Sequence, residues 1–440
     1  MIHGPHAEVG WLADLATSWI TSRVGHAPLG RTAPPADVAA LLAASITDAG
    51  LGLDAAWQTF VDVVATNNIG LDSERFLAFI PMSPSVAATW MDAVVGAASF
   101  SAESWLEAPG AVAAELQVVR LFIEAAGLPP TSSGCCTSGG SIGNLSALAV
   151  ARDHAGGRRS VAVADTAHAS IDNALHILGL EAVVVPTGPD CRLTGAALRS
   201  ALGDRRDIGI VIAAAGSTNA GVIDDLEGCA DVAAELGAWF HVDGAYGLAA
   251  LLLPELRDRF AGIERADSFI VDPHKWLFAT AGSCILVYRR PDLARAVHTQ
   301  HGPYLDVLHA ERDAYNPCDL AYQLTRRATG LPLWFSLALH GLESHRAAIR
   351  HGIELATMMA AALANVDAAE LVLTPELGVV LFRREGWDAQ AWRAWSERLL
   401  HDGVAFVAPT TYRGEPVGRV VFMHPRTPPS IVDELVASLV

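Results

Sequence analysis

Ser268-Phe269-Ile270-Val271-Asp272-Pro273-His274-Lys275-Trp276 runs a short β-rich segment straight into a polar turn, which Pro273 stiffens and which presents an amine. Working outward, similar β-rich runs occur at 161–164, 182–186, 208–213, 239–242 and 283–288, separated by stretches of helical periodicity. Strands alternating with helices imply βαβ units and an α/β fold with a mainly parallel sheet. In such sheets ligands gather beyond the strand ends, so the residues just after each run are the first candidates for chemistry.

Upstream, 36–66 and 84–126 have apolar positions at helical spacing, flanking an extended stretch at 76–81. Downstream, the pattern predicts a long helix over 331–364, strands near 369–374 and 378–383, a helix over 388–401, a strand at 418–423 and a last helix. This divides the chain into a helical segment at 1–83, a large domain at 84–330 and a small α+β domain at 331–440.

With 51% hydrophobic and 18% charged residues, the 440-residue chain has the composition of a packed globular protein. A net charge of −18 argues against a nucleic-acid backbone as partner, because that binding relies on clustered Lys and Arg. The apolar runs are strand-sized, well short of the roughly 20 residues of a membrane span. Residues 1–10 lack a basic stretch followed by an apolar core, so no secretory leader is expected and the cytoplasm is the expected location. Six cysteines show neither CxxC nor zinc spacing and read as reduced, buried thiols, with no metal expected. Lys275 is the only lysine among 30 basic residues; an arginine can replace a lysine on a solvated surface but not as a nucleophilic amine.

Four segments after predicted strands or at helix starts offer complementary parts. Thr137-Ser138-Gly139-Gly140-Ser141-Ile142-Gly143-Asn144 opens a helix and could cradle a phosphate, although its glycines are not expected to follow a strand. His168 follows the 161–164 run and could stack on a flat ring. Asp243 ends the 239–242 run beside the small Gly244 and Ala245, and could pair with a pyridinium nitrogen. Lys275 supplies the amine. Singly these are a glycine turn, a helix-capping histidine and a strand-ending aspartate; together, in this order, they form the set a pyridoxal phosphate site needs.

These residues resemble the group II pyridoxal-phosphate decarboxylases, the family of aromatic-amino-acid, glutamate and histidine decarboxylases, from about Phe76 onward. Asp272-Pro273-His274-Lys275-Trp276 is the most specific mark. The resemblance implies a fold-type I, aspartate-aminotransferase-like subunit, a homodimer with active sites at its interface, and pyridoxal 5′-phosphate held as a Schiff base on Lys275. It further implies that Asp243 pairs with the ring nitrogen, Ala245 lies beneath the ring and His168 stacks on it. Gly140 and Ser141 match the phosphate loop, Thr218 lies near the cofactor, and Asp272 and His274 flank the phosphate side. Tyr304 matches the loop tyrosine that returns a proton, which favours simple decarboxylation of an L-amino acid over oxidation to an aldehyde or β-elimination. Phe79, Ile80 and Pro81 match substrate-pocket positions and point to an aromatic substrate, while Glu103 points to a more polar or amine-bearing one. Ser73-Glu74 stands where the family usually has His-Pro, Thr329 where many members have arginine, and Ser101 and Glu103 replace apolar residues.

Overall fold

The structure, a computed structural model, describes residues 8–309 and 315–439. Residues 1–7, which carry most of the basis for the leader expectation, lie outside that range. The chain opens with α1 (Glu8–Gly25), α2 (Pro35–Leu42) and α3 (Leu53–Thr59), the last continuing as a π-helical turn, Phe60–Ala65. The helix predicted over 36–66 is therefore interrupted, at a break holding Gly50 and Gly52, both at positive φ. The helix predicted over 84–126 is likewise two, α4 (Val86–Ala98) and α5 (Pro109–Ala125). Ser99 ends the first in the left-handed region, and Pro109 starts the second, where its missing N–H costs nothing.

The large sheet is built from β1 (Ser133–Thr137), α6 (Gly140–His154), β2 (Ser160–Ala164), α7 (Ala169–Leu178), β3 (Glu181–Val185), α8 (Gly195–Leu202), β4 (Ile208–Ala214), α9 (Leu226–Leu236), β5 (Trp239–Asp243), β6 (Ser268–Val271) and β7 (Cys284–Tyr288). Its strand order is β1-β7-β6-β5-β4-β2-β3, and β7 alone runs antiparallel to its neighbours. Strand periodicity splits the core between the two faces. Val161 and Val163 pack with α6 and α7, whereas Ala162, Phe240, Val242, Phe269 and Val271 join the core on the opposite face. β1 was not expected, because Ser133-Gly134-Cys135-Cys136-Thr137 lacks the β-branched residues that mark a strand. Gly134 shows why: a Cβ there would lie 2.0 Å from the Leu286 carbonyl oxygen on β7. The glycines at 139–140 do follow a strand, correcting that sequence expectation.

After α10 (Pro291–His298), α11 (Leu331–Leu363) kinks at Gly341 and leads into β8 (Ala369–Leu371), β9 (Val379–Arg384), α12 (Ala389–His401), β10 (Thr410–Tyr412), β11 (Glu415–Val421) and α13 (Ser430–Ala437). These four strands form an antiparallel sheet packed on Trp392 and Trp395. The 76–81 stretch is irregular, but Leu77 is bonded into this layer, donating to Phe406 O (2.8 Å) and accepting from Val421 N (2.9 Å).

Candidate active site

The C-terminal ends of β1, β2, β4, β5 and β6 share one sheet edge, and the predicted residues meet there. A cavity of about 350 Å³ is lined by Gly140, Ser141, His168, Asp243, Ala245, Asp272, His274 and Lys275. A smaller lobe, sharing His168, Asp243, Ala245 and Lys275, adds Thr218.

Asp243 is fixed by a one-way chain of hydrogen bonds. Trp239 Nε1 donates to Ser268 Oγ (2.9 Å), and that hydroxyl meets His241 Nδ1 (2.8 Å). His241 Nε2 meets Asn144 Oδ1 (3.0 Å), and Asn144 Nδ2 donates to Asp243 Oδ2 (3.0 Å). Burial pushes the His241 imidazole down to about 4 against the pull of Asp243; as the neutral ring, its Nε2 donates to Asn144 Oδ1 and its Nδ1 accepts from the Ser268 hydroxyl. Asp243 Oδ1 accepts from Ala245 N (3.1 Å), so the carboxylate is held on both oxygens. Asn144, His241 and Ser268 escaped the sequence reading. The available signal was a histidine two residues before Asp243, on the same face of an otherwise apolar strand.

His168 caps α7, its Nδ1 accepting from Ser170 N (3.2 Å) and meeting Ser170 Oγ (2.8 Å). Capping and cavity lining thus coincide in one residue. α6 begins at Gly140 without a side-chain cap, leaving its first N–H groups for an anion. Lys275 Nζ lies 3.0 Å from Asp272 Oδ2. Burial lowers the affinity of that amine for a proton, but Asp272 and then Asp243 outweigh it, so the amine is held above its ordinary value. Burial pushes the His274 imidazole down, and its Nδ1 meets Ser283 O (2.6 Å).

The remaining predicted residues stand outside this cavity within one chain. Tyr304 is 75% exposed, beyond the end of α10. Phe79 is 58% exposed with φ at 52°, rare for a bulky side chain, and its ring stands near Phe76 and Phe406. Ile80 packs against the large core and Pro81 is buried. Glu103 accepts from Ser101 Oγ (3.2 Å), and burial, with Glu107 beside it, holds its carboxyl above the usual range.

Residues 35–385 match the model of the pyridoxal-dependent decarboxylase conserved domain. The chain belongs to the pyridoxal-dependent decarboxylase family. An aromatic-L-amino-acid decarboxylase of Bacillus atrophaeus is 30% identical over 376 residues, spanning 81% of this chain and 78% of that protein. An L-2,4-diaminobutyrate decarboxylase of Rhizobium meliloti (strain 1021) is 31% identical over 381 residues, spanning 82% and 76%. Among solved structures, Oryza sativa TDC with PLP and tryptamine superposes with a TM-score of 0.89 at 25% identity, covering 98% of this chain and 96% of that one. This decarboxylase therefore has the fold-type I architecture, takes pyridoxal 5′-phosphate and acts as a carboxy-lyase on an amino acid.

The cavity fits that cofactor in its donor set. It offers an amine for the aldehyde, a doubly held carboxylate for the ring nitrogen, an imidazole and a small alanine for the two ring faces, and an uncapped helix start for the phosphate. The glycine at 140 lets the start of α6 approach Asp272 closely, since a Cβ there would meet the carboxylate at 2.9 Å.

Proposed function

We propose that this decarboxylase converts an aromatic L-amino acid to the corresponding amine and carbon dioxide in a cavity built around Lys275. The observation that carries the reading is the convergence of Lys275, Asp243 and the uncapped start of α6 on one cavity. Bound there, pyridoxal 5′-phosphate supplies an aldehyde for the substrate amine and a π-system that takes up the electrons of the broken carbon–carboxylate bond.

This chain's residues do the rest. Gly140, Ser141 and the start of α6 would bind the phosphate, with Asp272 and His274 closing that end of the cavity and Thr218 near the cofactor in the smaller lobe. Asp243, oriented on both oxygens by Asn144 and Ala245, would pair with the ring nitrogen and so favour electron flow away from the α-carbon. His168, immobilised by Ser170, would stack on the ring, and Ala245 would leave room for it. Lys275 would hold the cofactor covalently through its ε-amine, and Tyr304 would return a proton to the substrate's α-carbon.

Tyr304 lines neither lobe of the Lys275 cavity in its own chain, so we assign it to the cavity of a second copy. A homodimer agrees with the N-terminal region: α2, α3 and the π-helical turn bury no residue fully, and Trp11, Leu12, Leu41 and Val64 are exposed. Phe79, Ile80 and Pro81 are then proposed to face the substrate at that interface, where the strained backbone of Phe79 suits a functional position. Six free, buried cysteines agree with a reducing compartment, and among the described residues no helix is long and apolar enough to cross a membrane.

A second reading comes from Glu103, whose carboxylate beside Glu107 would suit a cationic side chain. Incubating the cofactor-loaded protein with a panel of aromatic and diamino acids, and identifying products by mass spectrometry, separates the two. An aromatic amine as main product is expected; a diamine would replace the aromatic reading. Aldehyde with oxygen uptake would replace simple decarboxylation.

A further inference from the structure

Asp272 is a second carboxylate in the cavity, and its surroundings differ from those of Asp243. It is 2% exposed, and its Oδ1 has no hydrogen-bond partner among the described residues. A buried ionised carboxylate with a free oxygen is unfavourable unless a cation or dipole balances it. Two features do so. Lys275 Nζ lies 3.0 Å away, and the start of α6 is so close that a Cβ on Gly140 would meet both carboxylate oxygens, at 2.9 and 3.1 Å. The other titratable groups facing this pair are Asp243 on β5, His168 at the start of α7, His274 on the same turn and Cys284 on β7. Asp243 is already engaged by Asn144 and Ala245, and burial keeps the Cys284 thiol and the His274 imidazole neutral. Asp272 is thus the carboxylate that touches the amine and keeps spare lone pairs.

We propose that Asp272 is the resting counter-ion of Lys275, storing the ε-amine as an ammonium whenever it is not covalently engaged and taking its proton when it attacks an aldehyde. The exchange balances. The ammonium and carboxylate become amine and carboxylic acid; the amine nitrogen bonds the aldehyde carbon, and the carbonyl oxygen leaves as water with the two remaining amine hydrogens. When the lysine is displaced, the acid returns the proton. This role rests on Lys275 being the condensing amine and makes Asp272 a positioning residue for it. In keeping with that contact, burial would lower the amine's proton affinity, yet Asp272 and Asp243 raise it above the ordinary range.

Because Lys275 is the only lysine in 440 residues, a neutral amine reagent such as 1-fluoro-2,4-dinitrobenzene meets a single ε-amine, and peptide mass spectrometry locates the adduct. On the cofactor-free full chain, the labelling rate of the native protein should climb about tenfold per pH unit up to about pH 9.5, as for an amine still fully protonated. Asp272→Asn keeps the shape and removes the charge. It should level off at least about one pH unit lower and react about tenfold faster near pH 7.5. Superimposable profiles overturn the proposal. A [13Cε]lysine resonance of the native protein gives the same answer without a variant: titration above the ordinary lysine range supports the counter-ion, and titration below it overturns it. Failure of the native protein to give a borohydride-reducible pyridoxal phosphate adduct at residue 275 would instead remove the assignment of Lys275.

Discussion

Lys275→Arg preserves positive charge beside Asp272 but removes the one nitrogen able to lose a proton and form a double bond to carbon. The variant should lose the absorbance of the imine-linked cofactor and show no borohydride-stable adduct and no amine product, while its circular dichroism stays native. Retained turnover would sink the assignment. Lys275, Asp243 and His168 were legible in the sequence because each follows a predictable strand, and the sheet edge then brings them together. The chain from Trp239 to Asp243 was not, since its members come from α6, β5 and β6 and only the three-dimensional pairing of β5 with β6 sets Ser268 beside His241. Asp272 was legible as a motif residue, yet its contact with Lys275 depends on the turn in which Lys275 N donates to Asp272 O (3.0 Å).

At the scale of elements, the β-branched strands of the large sheet were found nearly to the residue, and β1 was missed because close pairing to β7 selects Gly134 and two cysteines instead; in the small sheet β10 was missed and β11 starts three residues before its expected 418. Helical periodicity likewise carried across the breaks at 43–52 and 99–108, because apolar spacing continues where backbone conformation does not. β1 is also where an ion pair invisible to pattern reading sits. Glu115 on α5 bonds Arg326, with both side chains almost fully buried; Glu115 Oε1 accepts from Cys136 N (2.9 Å), and Arg326 Nη1 donates to Cys136 O (2.9 Å). The pair therefore ties α5, β1 and the segment before α11 together behind the phosphate end of the cavity. Glu115→Ala leaves a guanidinium buried without its counter-charge and should cost about 3–5 kcal/mol in urea unfolding. A loss below about 1 kcal/mol would show that water reaches Arg326.

For the whole molecule, two buried groups pull stability in opposite directions as pH changes. His241, down to about 4, binds its proton more weakly folded than unfolded, so its contribution is full above about pH 6.5 and is lost as pH falls toward 4. Burial raises Asp224 to about 7, even though backbone N–H groups of Ala214 and Leu193 bond it, so its contribution is full below about pH 4 and is lost as pH rises toward 7. The native protein's pH slope therefore mixes both, and comparison with a variant isolates one. Asp224 is common to the native protein and His241→Gln, so their difference isolates the histidine. The destabilisation caused by His241→Gln at pH 7 should shrink by about 3 kcal/mol at pH 4, measured by urea unfolding at each pH. A difference independent of pH would mean that His241 takes up its proton as readily folded as unfolded, so that burial does not hold it neutral.

The proposed homodimer would complete the site, since within one chain Lys275 lies in the cavity and Tyr304 stands exposed outside it. If each cavity takes its lysine from one copy and its tyrosine from the other, two inactive variants can repair each other. In a mixed dimer of Lys275→Ala and Tyr304→Phe chains, one cavity receives both substitutions and the other receives neither. Homodimers of Tyr304→Phe should form amine roughly 10²–10⁴-fold more slowly, as expected when a positioned proton donor is removed. Homodimers of Lys275→Ala should form none. Refolded together in equal amounts, the two should regain about a quarter of native activity, because about half the dimers are mixed and each has one intact cavity of two. Sedimentation must show species of twice the 46.3 kDa chain mass for that arithmetic to apply. A mixture no more active than its two parents would place Tyr304 in the cavity of its own chain, reached by a movement of the segment after α10, or outside the chemistry altogether.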